Sequence, residues 1–357
     1  MRHRSLSLLF TMALAVPLAG AALQDKGGQD ETGPYDVVEN WLAPVHEGWH
    51  HHVTGVFAES PDRIFITASG ETPKSPPEPG RRGGAPAPPA GFDPTRPGAK
   101  SDHFLVVADR NGRIVEEWTH LVAMLVRPHT VQMDPYDPDK HVWIVDREGQ
   151  QIVKFTNDGK RVVLTLGEKG VAGSDERHFN RPADIAFLPD GSVLVADGYI
   201  NARVIKYDRH GNYLTQWGSK GSGPGQFDLV HCVAVDAKGR VYVADRSNGR
   251  IQVFDASGKF IEQWRSRRPT HLLITSDQSV WVSDGETNRF LKYDPTGKLL
   301  TYWGTHGTFP GAIDNPHKFS VDSDGNLYVV DYANNRLQKF TPKAGADKNR
   351  LIGRPTK

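Results

Sequence analysis

Cysteine is nearly absent: Cys232 is the one cysteine in 357 residues. An intramolecular disulfide is therefore excluded, the fold must rest on its packed core, and any metal site must use histidine and oxygen ligands, Cys232 apart. Net charge is also lacking, since 43 basic and 42 acidic residues leave +1. That balance gives no electrostatic footprint for nucleic acid or an anionic membrane. Helical periodicity is scarce, and beyond the N-terminus no run is long and apolar enough to cross a bilayer.

The N-terminus itself has a basic start (Met1, Arg2, His3, Arg4), a short apolar run from Leu6 to Leu18, and the small residues Ala19, Gly20 and Ala21. This pattern reads as a cleavable signal peptide over 1–21. It places the mature protein outside the cytoplasm, secreted or periplasmic, with no membrane span. Residues 22–34 are expected to be a flexible segment and 344–357 a C-terminal tail.

What the sequence has in abundance is repetition. One phrase recurs: Pro, two variable residues, alternating apolars, a Gly or Asp turn, an apolar strand ending in Asp, then Arg and alternating apolars, then a Gly turn, then Trp-Gly. Copies begin at Arg127, Arg181, Leu229, Arg268 and Asn315, and their strand-ending aspartates are Asp146, Asp197, Asp245, Asp284 and Asp331. The spacings are 51, 48, 39 and 47 residues. Each copy reads as four short strands joined by tight hairpins. Four-stranded units at this period are propeller blades, which must stack in a ring to bury both faces.

A sixth copy is split: His52–Val56 and Arg63–Ile66 supply two strands, Phe104–Val107 and Arg113–Val115 two more. Between them, residues 70–100 form a Pro/Gly-rich insertion that cannot pack a core and is expected to be an exposed loop, a mobile insertion before a lid. Val37 to Leu42 can add an outer strand to the last blade and close the ring. The fold class is thus an all-β, six-bladed β-propeller of NHL-type repeats spanning 35–343.

In such a meander the innermost strand's opening residue faces the axis, on the same face as residues following the strand-ending Asp. That opening position is His129 in blade two, Ala183 in three, His231 in four, Thr270 or His271 in five, and His317 in six. Any one of these histidines alone reads as a solvated or core residue. Three at one repeat position in alternate blades converge on an axial point and read as a metal site with an open fourth position. On the same face lie Tyr199, Arg147 and Arg246. A phenol beside a metal and a guanidinium can act as a base; it can equally be a surface aromatic beside turn arginines. Arg203, Arg250, Arg289 and Arg336 recur across blades and read as scaffold. Cys232, next to His231 on a strand, should point away from the axis into the core. The His50-His51-His52 run reads as a polar strand entrance.

The blocks DGYINARVIKY, QWGSKGSGPGQFDLVHCVAV and VYVADRSNGRIQVF, within Leu164–Phe254, resemble peptidyl-α-hydroxyglycine α-amidating lyase. The resemblance runs from about Val37 to Phe340 and implies a lyase that splits a peptidyl-α-hydroxyglycine into an amide and glyoxylate. It implies one Zn2+ per chain on His129, His231 and His317, with Tyr199 as the catalytic base and Arg246 as an active-site arginine. Three departures stand out. The family's calcium is held partly by an Asp directly after the third histidine, with main-chain ligands mapping to Val56 and Val131; here that position is Lys318, whose ammonium can replace the ion's charge, so no calcium is expected. A second arginine belongs where this chain has Thr67-Ala68-Ser69, leaving Arg81, Arg82 or Arg147 as substitutes. The family's blade-stapling cysteines are replaced by Asn180, Ile200, Tyr242 and Val253. The expected partner is a small-molecule or peptide substrate, and the expected state a monomer without nucleic acid. The rival readings are another metal-dependent hydrolase on the same face and a non-catalytic protein-binding propeller.

Overall fold

The computed structural model describes residues 31–45, 49–73 and 104–356. The expected signal peptide, residues 22–30, and most of the Pro/Gly insertion, with Arg81 and Arg82, lie outside the described residues. Six four-stranded antiparallel sheets follow one another in chain order. Blade one comprises Trp49–Ser60, Arg63–Pro73, Leu105–Ala108 and Ile114–Glu117. Blades two to five open on the inner strands Pro128–Met133, Asp184–Phe187, Val230–Val235 and Pro269–Ile274. Blade six takes Pro316–Val321, Leu327–Asp331 and Arg336–Pro342 from the C-terminal end and its outermost strand, Tyr35–Val38, from the N-terminal end. The protein is a six-bladed all-β propeller; among the described residues its helical content is a single 3-10 turn, Thr119–Ala123.

The hairpins between third and fourth strands show why the Asp and Gly recur. Asp208 accepts hydrogen bonds from the backbone N–H of His210 and Asn212, both at 2.8 Å, and Gly211 takes a φ of 86°. The strand register slips by one residue between Lys206 and Tyr207. This is a three-residue loop with a bulge, which needs a left-handed residue and favours glycine. The equivalent glycine of the next blade, Gly258, lies under the Trp217 indole, where a Cβ would come within 2.6 Å of the ring. The recurring Trp thus packs on the following blade's turn.

The core is a ring of interblade layers rather than one centre. The layer between blades two and three holds Trp143, Phe179, Ile185 and Val195, and that between three and four holds Ala196, Phe227, Val233 and Phe254. Each strand-ending Asp then fastens its blade to the loop before it. Asp245 pairs with Arg250 at 2.8 Å, and Arg250 donates to the carbonyls of Ser222, Gly223 and Gln226. Arg203 with Asp197 and Arg336 with Asp331 repeat the arrangement. Arg289 does not: it is exposed and sits over Tyr302. Blade five is entered through the shortest connection, so no loop of carbonyls stands there to receive it.

Ring closure differs from expectation in register. The closing strand is Tyr35–Val38, pairing Tyr35 with Pro342 and Val38 with Lys339. Asn40, at a φ of 51°, turns the chain away, and Trp41 crosses to blade one, donating its indole N–H to Arg110 O at 2.9 Å. Residues 31–34, expected to be flexible, form a turn: Thr32 donates to Tyr35 O at 2.7 Å, and Gly33 lies against Trp303. The C-terminal residues also dock, Ile352 N–H donating to the Tyr35 hydroxyl at 2.8 Å and Lys292 to Asn349 O at 3.0 Å.

Candidate metal centre and the face around it

His129, His231 and His317 are each the second residue of an innermost strand. In all three strands the pairing slips at that residue, between Pro128 and Thr130, Val230 and Cys232, and Pro316 and Phe319. Such a bulge re-aims a side chain, and here it turns the imidazole to the axis. The three rings stand 4.7, 5.0 and 5.2 Å apart between centroids, nearly perpendicular to one another.

Backbone carbonyls of the other three blades orient them. His129 Nδ1 is 2.7 Å from Ala183 O, His231 Nδ1 2.6 Å from Thr270 O, and His317 Nδ1 2.7 Å from Thr54 O. A carbonyl can only accept, so each Nδ1 carries the proton and donates it. Burial, the largest influence on all three, drives each imidazole's pKa well below its ordinary value; neighbouring cations, Arg246 beside His231 and Lys318 beside His317 among them, push the same way. The rings are therefore neutral, with bare Nε2 lone pairs converging. His317 Nε2 and His231 Nε2 face each other at 3.3 Å. Two lone pairs at that separation repel, and an electron-pair acceptor between them relieves the repulsion. The donor set fits a metal ion that favours imidazole, and the three ligand atoms lie within 4.8 Å of one another.

Tyr199 reaches this point through Gly198, where a Cβ would fall 1.9 Å from Val230 O. Only glycine lets the chain pass so close to the inner strand of blade four. The Tyr199 hydroxyl lies 3.1 Å from His129 Nε2 and 3.1 Å from His231 Nε2. Two guanidiniums stack against its ring, Arg147 at 5.0 Å and Arg246 at 5.5 Å. Burial lowers the Arg246 pKa. For Arg147 the Tyr199 and Glu148 side chains outweigh burial and raise it.

The structure thus brings together His129, His231, His317, Tyr199 and Arg246. Thr270 holds the ring position in blade five, and His271 drops into the layer beneath. Thr67, Ala68 and Ser69 are buried, and no guanidinium reaches the site from that strand. Tyr332 joins the site: its ring lies 5.2 Å from that of His317, tilted by 38°. It follows Asp331 as Arg147 and Arg246 follow theirs, so the same repeat position would have revealed it.

Beneath the histidines lies a second layer. Lys318, 2% exposed, pairs with the fully buried Asp184 at 3.0 Å. The two come from blades six and three, opposite each other in the ring, so the pair spans the axis. Cys232 is buried beside it, its sulfur accepting from Leu272 N–H at 3.2 Å. An ammonium in this layer repels a divalent cation, so the residues present do not fit calcium. Beyond it, lined by Met133, Phe187, Val235, Ile274 and Val321, a cavity of about 620 Å³ occupies the axis toward the opposite face.

Comparison with known proteins bears on the fold and on the relatives of the chain. The NHL repeat matches residues 227–254 and 314–340, in blades four and six. A protein of Caenorhabditis elegans named as a probable peptidyl-alpha-hydroxyglycine alpha-amidating lyase is 26% identical over 254 residues, covering 67% of this chain and 70% of its own length. The rat peptidylglycine alpha-amidating monooxygenase is 36% identical over 167 residues, covering 45% of this chain and 17% of its own. The chain spans about a sixth to a quarter of the monooxygenases it matches. A gluconolactonase from Xanthomonas campestris superposes with a TM-score of 0.58 at 12% identity, covering 88% of this chain and 92% of that one, a likeness of fold. The chain is therefore an NHL-repeat propeller with homologues named peptidyl-α-hydroxyglycine α-amidating lyase, a relationship that supports a lyase function.

Proposed function

We propose that the protein is a zinc-dependent carbon–nitrogen lyase that cleaves a peptidyl-α-hydroxyglycine, or a related carbinolamide, to an amide and glyoxylate. We further propose that it acts outside the cytoplasm, on the N-terminal pattern of residues 1–21. The observation that carries the reading is the set of three Nε2 lone pairs, locked by carbonyls of alternate blades, with a tyrosine hydroxyl 3.1 Å from two of them. Zinc is favoured because it takes neutral imidazole nitrogens and, with three of them, keeps a fourth position open for substrate.

His129, His231 and His317 would hold the ion, which supplies Lewis acidity to the substrate hydroxyl. Tyr199 is placed to take the hydroxyl proton, its own oxygen standing beside the ligand nitrogens. The freed electron pair forms the aldehyde carbonyl of glyoxylate, the C–N bond breaks, and its pair passes to the amide nitrogen, to which Tyr199 returns the proton it took. Atoms and electrons balance without a co-reactant. Arg246, stacked on Tyr199, holds the phenol ring beside the ligand nitrogens and offsets negative charge that develops on the reacting oxygen. Tyr332 beside His317 and the exposed Ile200 offer apolar surface to the acyl portion.

The test is release of glyoxylate from an N-acyl-α-hydroxyglycine by the zinc-loaded protein. Stoichiometric amide and glyoxylate support the reading. Zinc-replete protein that leaves the compound intact contradicts it.

A further inference from the structure

The bulge that aims the three histidines recurs in blades that carry none. The strand pairing slips between Val53 and Gly55 in blade one and between Pro269 and His271 in blade five, which puts Thr54 and Thr270 at the slip. The corresponding residue of blade three is Ala183. Around the axis the six positions alternate, with His129, His231 and His317 in the even blades and Thr54, Ala183 and Thr270 in the odd ones. Thr54 is 4% exposed and Thr270 1%, and the chemistry proposed above uses neither hydroxyl.

Each threonine makes two contacts of opposite sense. Its carbonyl accepts from the histidine of the blade before it, Thr270 O from His231 Nδ1 at 2.6 Å and Thr54 O from His317 Nδ1 at 2.7 Å. Its hydroxyl reaches the carbonyl that immediately precedes the histidine of the blade after it. Thr54 Oγ1 lies 3.0 Å from Pro128 O, and Thr270 Oγ1 lies 2.5 Å from Pro316 O, nearer than the 2.9 Å to Ser283 O. A carbonyl can only accept, so in each contact the hydroxyl donates. The hydroxyls of Thr67, 3.2 Å from Thr54 Oγ1, and Ser283, 2.8 Å from Thr270 Oγ1, can donate to them in turn. One chain of contacts therefore runs from His231 through Thr270 to the peptide of His317, and through Thr54 to the peptide of His129. It stops where His129 Nδ1 meets Ala183 O, because alanine has no hydroxyl to carry it on to His231. At that gap Gly198 lies against Val230 O instead, and the segment bearing Tyr199 comes in.

We propose that Thr54 and Thr270 are positioning residues for the metal centre, each fixing the ring of one histidine through its carbonyl and the peptide of the next through its hydroxyl. The proposal rests on the metal reading of the three histidines and not on the reaction assigned to them. A bulge disrupts the local ladder while it re-aims a side chain. A hydroxyl on the proline carbonyl holds the peptide plane there, and with it the direction of His129 or His317. Deleting the hydroxyl costs a buried carbonyl its donor and frees that plane to turn. Groups one step outside the ligands orient them, and their loss typically weakens metal binding by about 10- to 100-fold.

Thr54→Val and Thr270→Val keep the side chain's shape and the main-chain carbonyl and remove the hydroxyl; Thr54→Ser and Thr270→Ser retain it. Thr275→Val, at a residue 1% exposed in the hairpin toward the opposite face, controls for loss of a buried hydroxyl elsewhere. Zinc affinity is measured by competition with a chromogenic chelator, and the visible spectrum of the cobalt-substituted protein reports geometry at the ligands. Thermal unfolding of each metal-free protein is followed alongside, and Thr270→Val decides the matter where Thr54→Val does not fold. The expected result is zinc binding about 10- to 100-fold weaker in each valine variant, with altered cobalt bands. The serine variants and Thr275→Val should stay near wild type. Unchanged affinity and cobalt bands in a folded valine variant, a serine variant as weak as its valine counterpart, or an equal loss in Thr275→Val would overturn the proposal. A wild type that binds neither ion would overturn it together with the metal centre. The expected affinities in a protein that leaves N-acyl-α-hydroxyglycines intact would refute the lyase reaction and sustain the positioning role.

Discussion

Tyr199→Phe isolates one atom. The substitution removes the hydroxyl and keeps the ring, whose stacking against Arg147 at 5.0 Å and Arg246 at 5.5 Å and whose edge contacts with His129 and His231, both at 5.6 Å, are made by carbon atoms. What disappears is a pair of 3.1 Å contacts to Nε2 atoms that a metal ion can satisfy. Folding and metal content should therefore stay at wild-type levels. Removal of a positioned general base typically costs about 10²- to 10⁴-fold, or about 3–5.5 kcal/mol of activation free energy. The loss should fall on kcat, because the proton moves only in the reaction step. The assay is glyoxylate release at saturating substrate, with zinc measured on the same preparation. Full kcat in metal-replete Tyr199→Phe would refute the assignment. Activity lost in proportion to zinc would show that the hydroxyl serves the metal site rather than the proton.

Arg250→Ala should destabilise the fold by about 3–5 kcal/mol, since it leaves the fully buried Asp245 carboxylate without its cation and takes the donor from three loop carbonyls; a shift below about 1 kcal/mol in urea unfolding would count against this scaffold role. Lys318→Met should cost a similar amount, about 3–5 kcal/mol, by leaving Asp184 unpaired across the axis. The double variant Lys318→Met/Asp184→Leu should recover most of it, because apolar replacement of a whole buried pair is often neutral. A calcium-selective chelator should leave the wild-type unfolding temperature unchanged; a clear drop would show a cation in the layer assigned to Lys318.

The propeller was legible because its signal is periodic. Strand-ending aspartates, turn glycines and Trp-Gly pairs recur blade after blade, each with a local cause visible in the structure, such as the Asp208 loop or the Gly258–Trp217 contact. The histidines were legible for the same reason, sharing one repeat position in alternate blades. Features that break the period were harder to read. The closing strand ends where Asn40 turns left-handed, a choice apolar alternation does not encode. Arg289 carries the scaffold arginine's place in the repeat but lacks the loop that receives it. The first hairpin extends over Trp49–Ser60 and Arg63–Pro73, well past the apolar stretch that marked it. The Lys318–Asp184 pair joins residues 134 apart in sequence. No repeat spacing tells which of the opposed inner strands will meet across an axis.

The central claim is that alternate-blade histidines hold one metal ion. It is tested most directly by elemental mass spectrometry of purified wild type and His231→Ala, with circular dichroism confirming that the variant stays folded. The account predicts about one zinc per chain in wild type and little in the variant. A folded wild type that binds no metal when zinc is supplied, or a folded His231→Ala that retains a full equivalent, would contradict it.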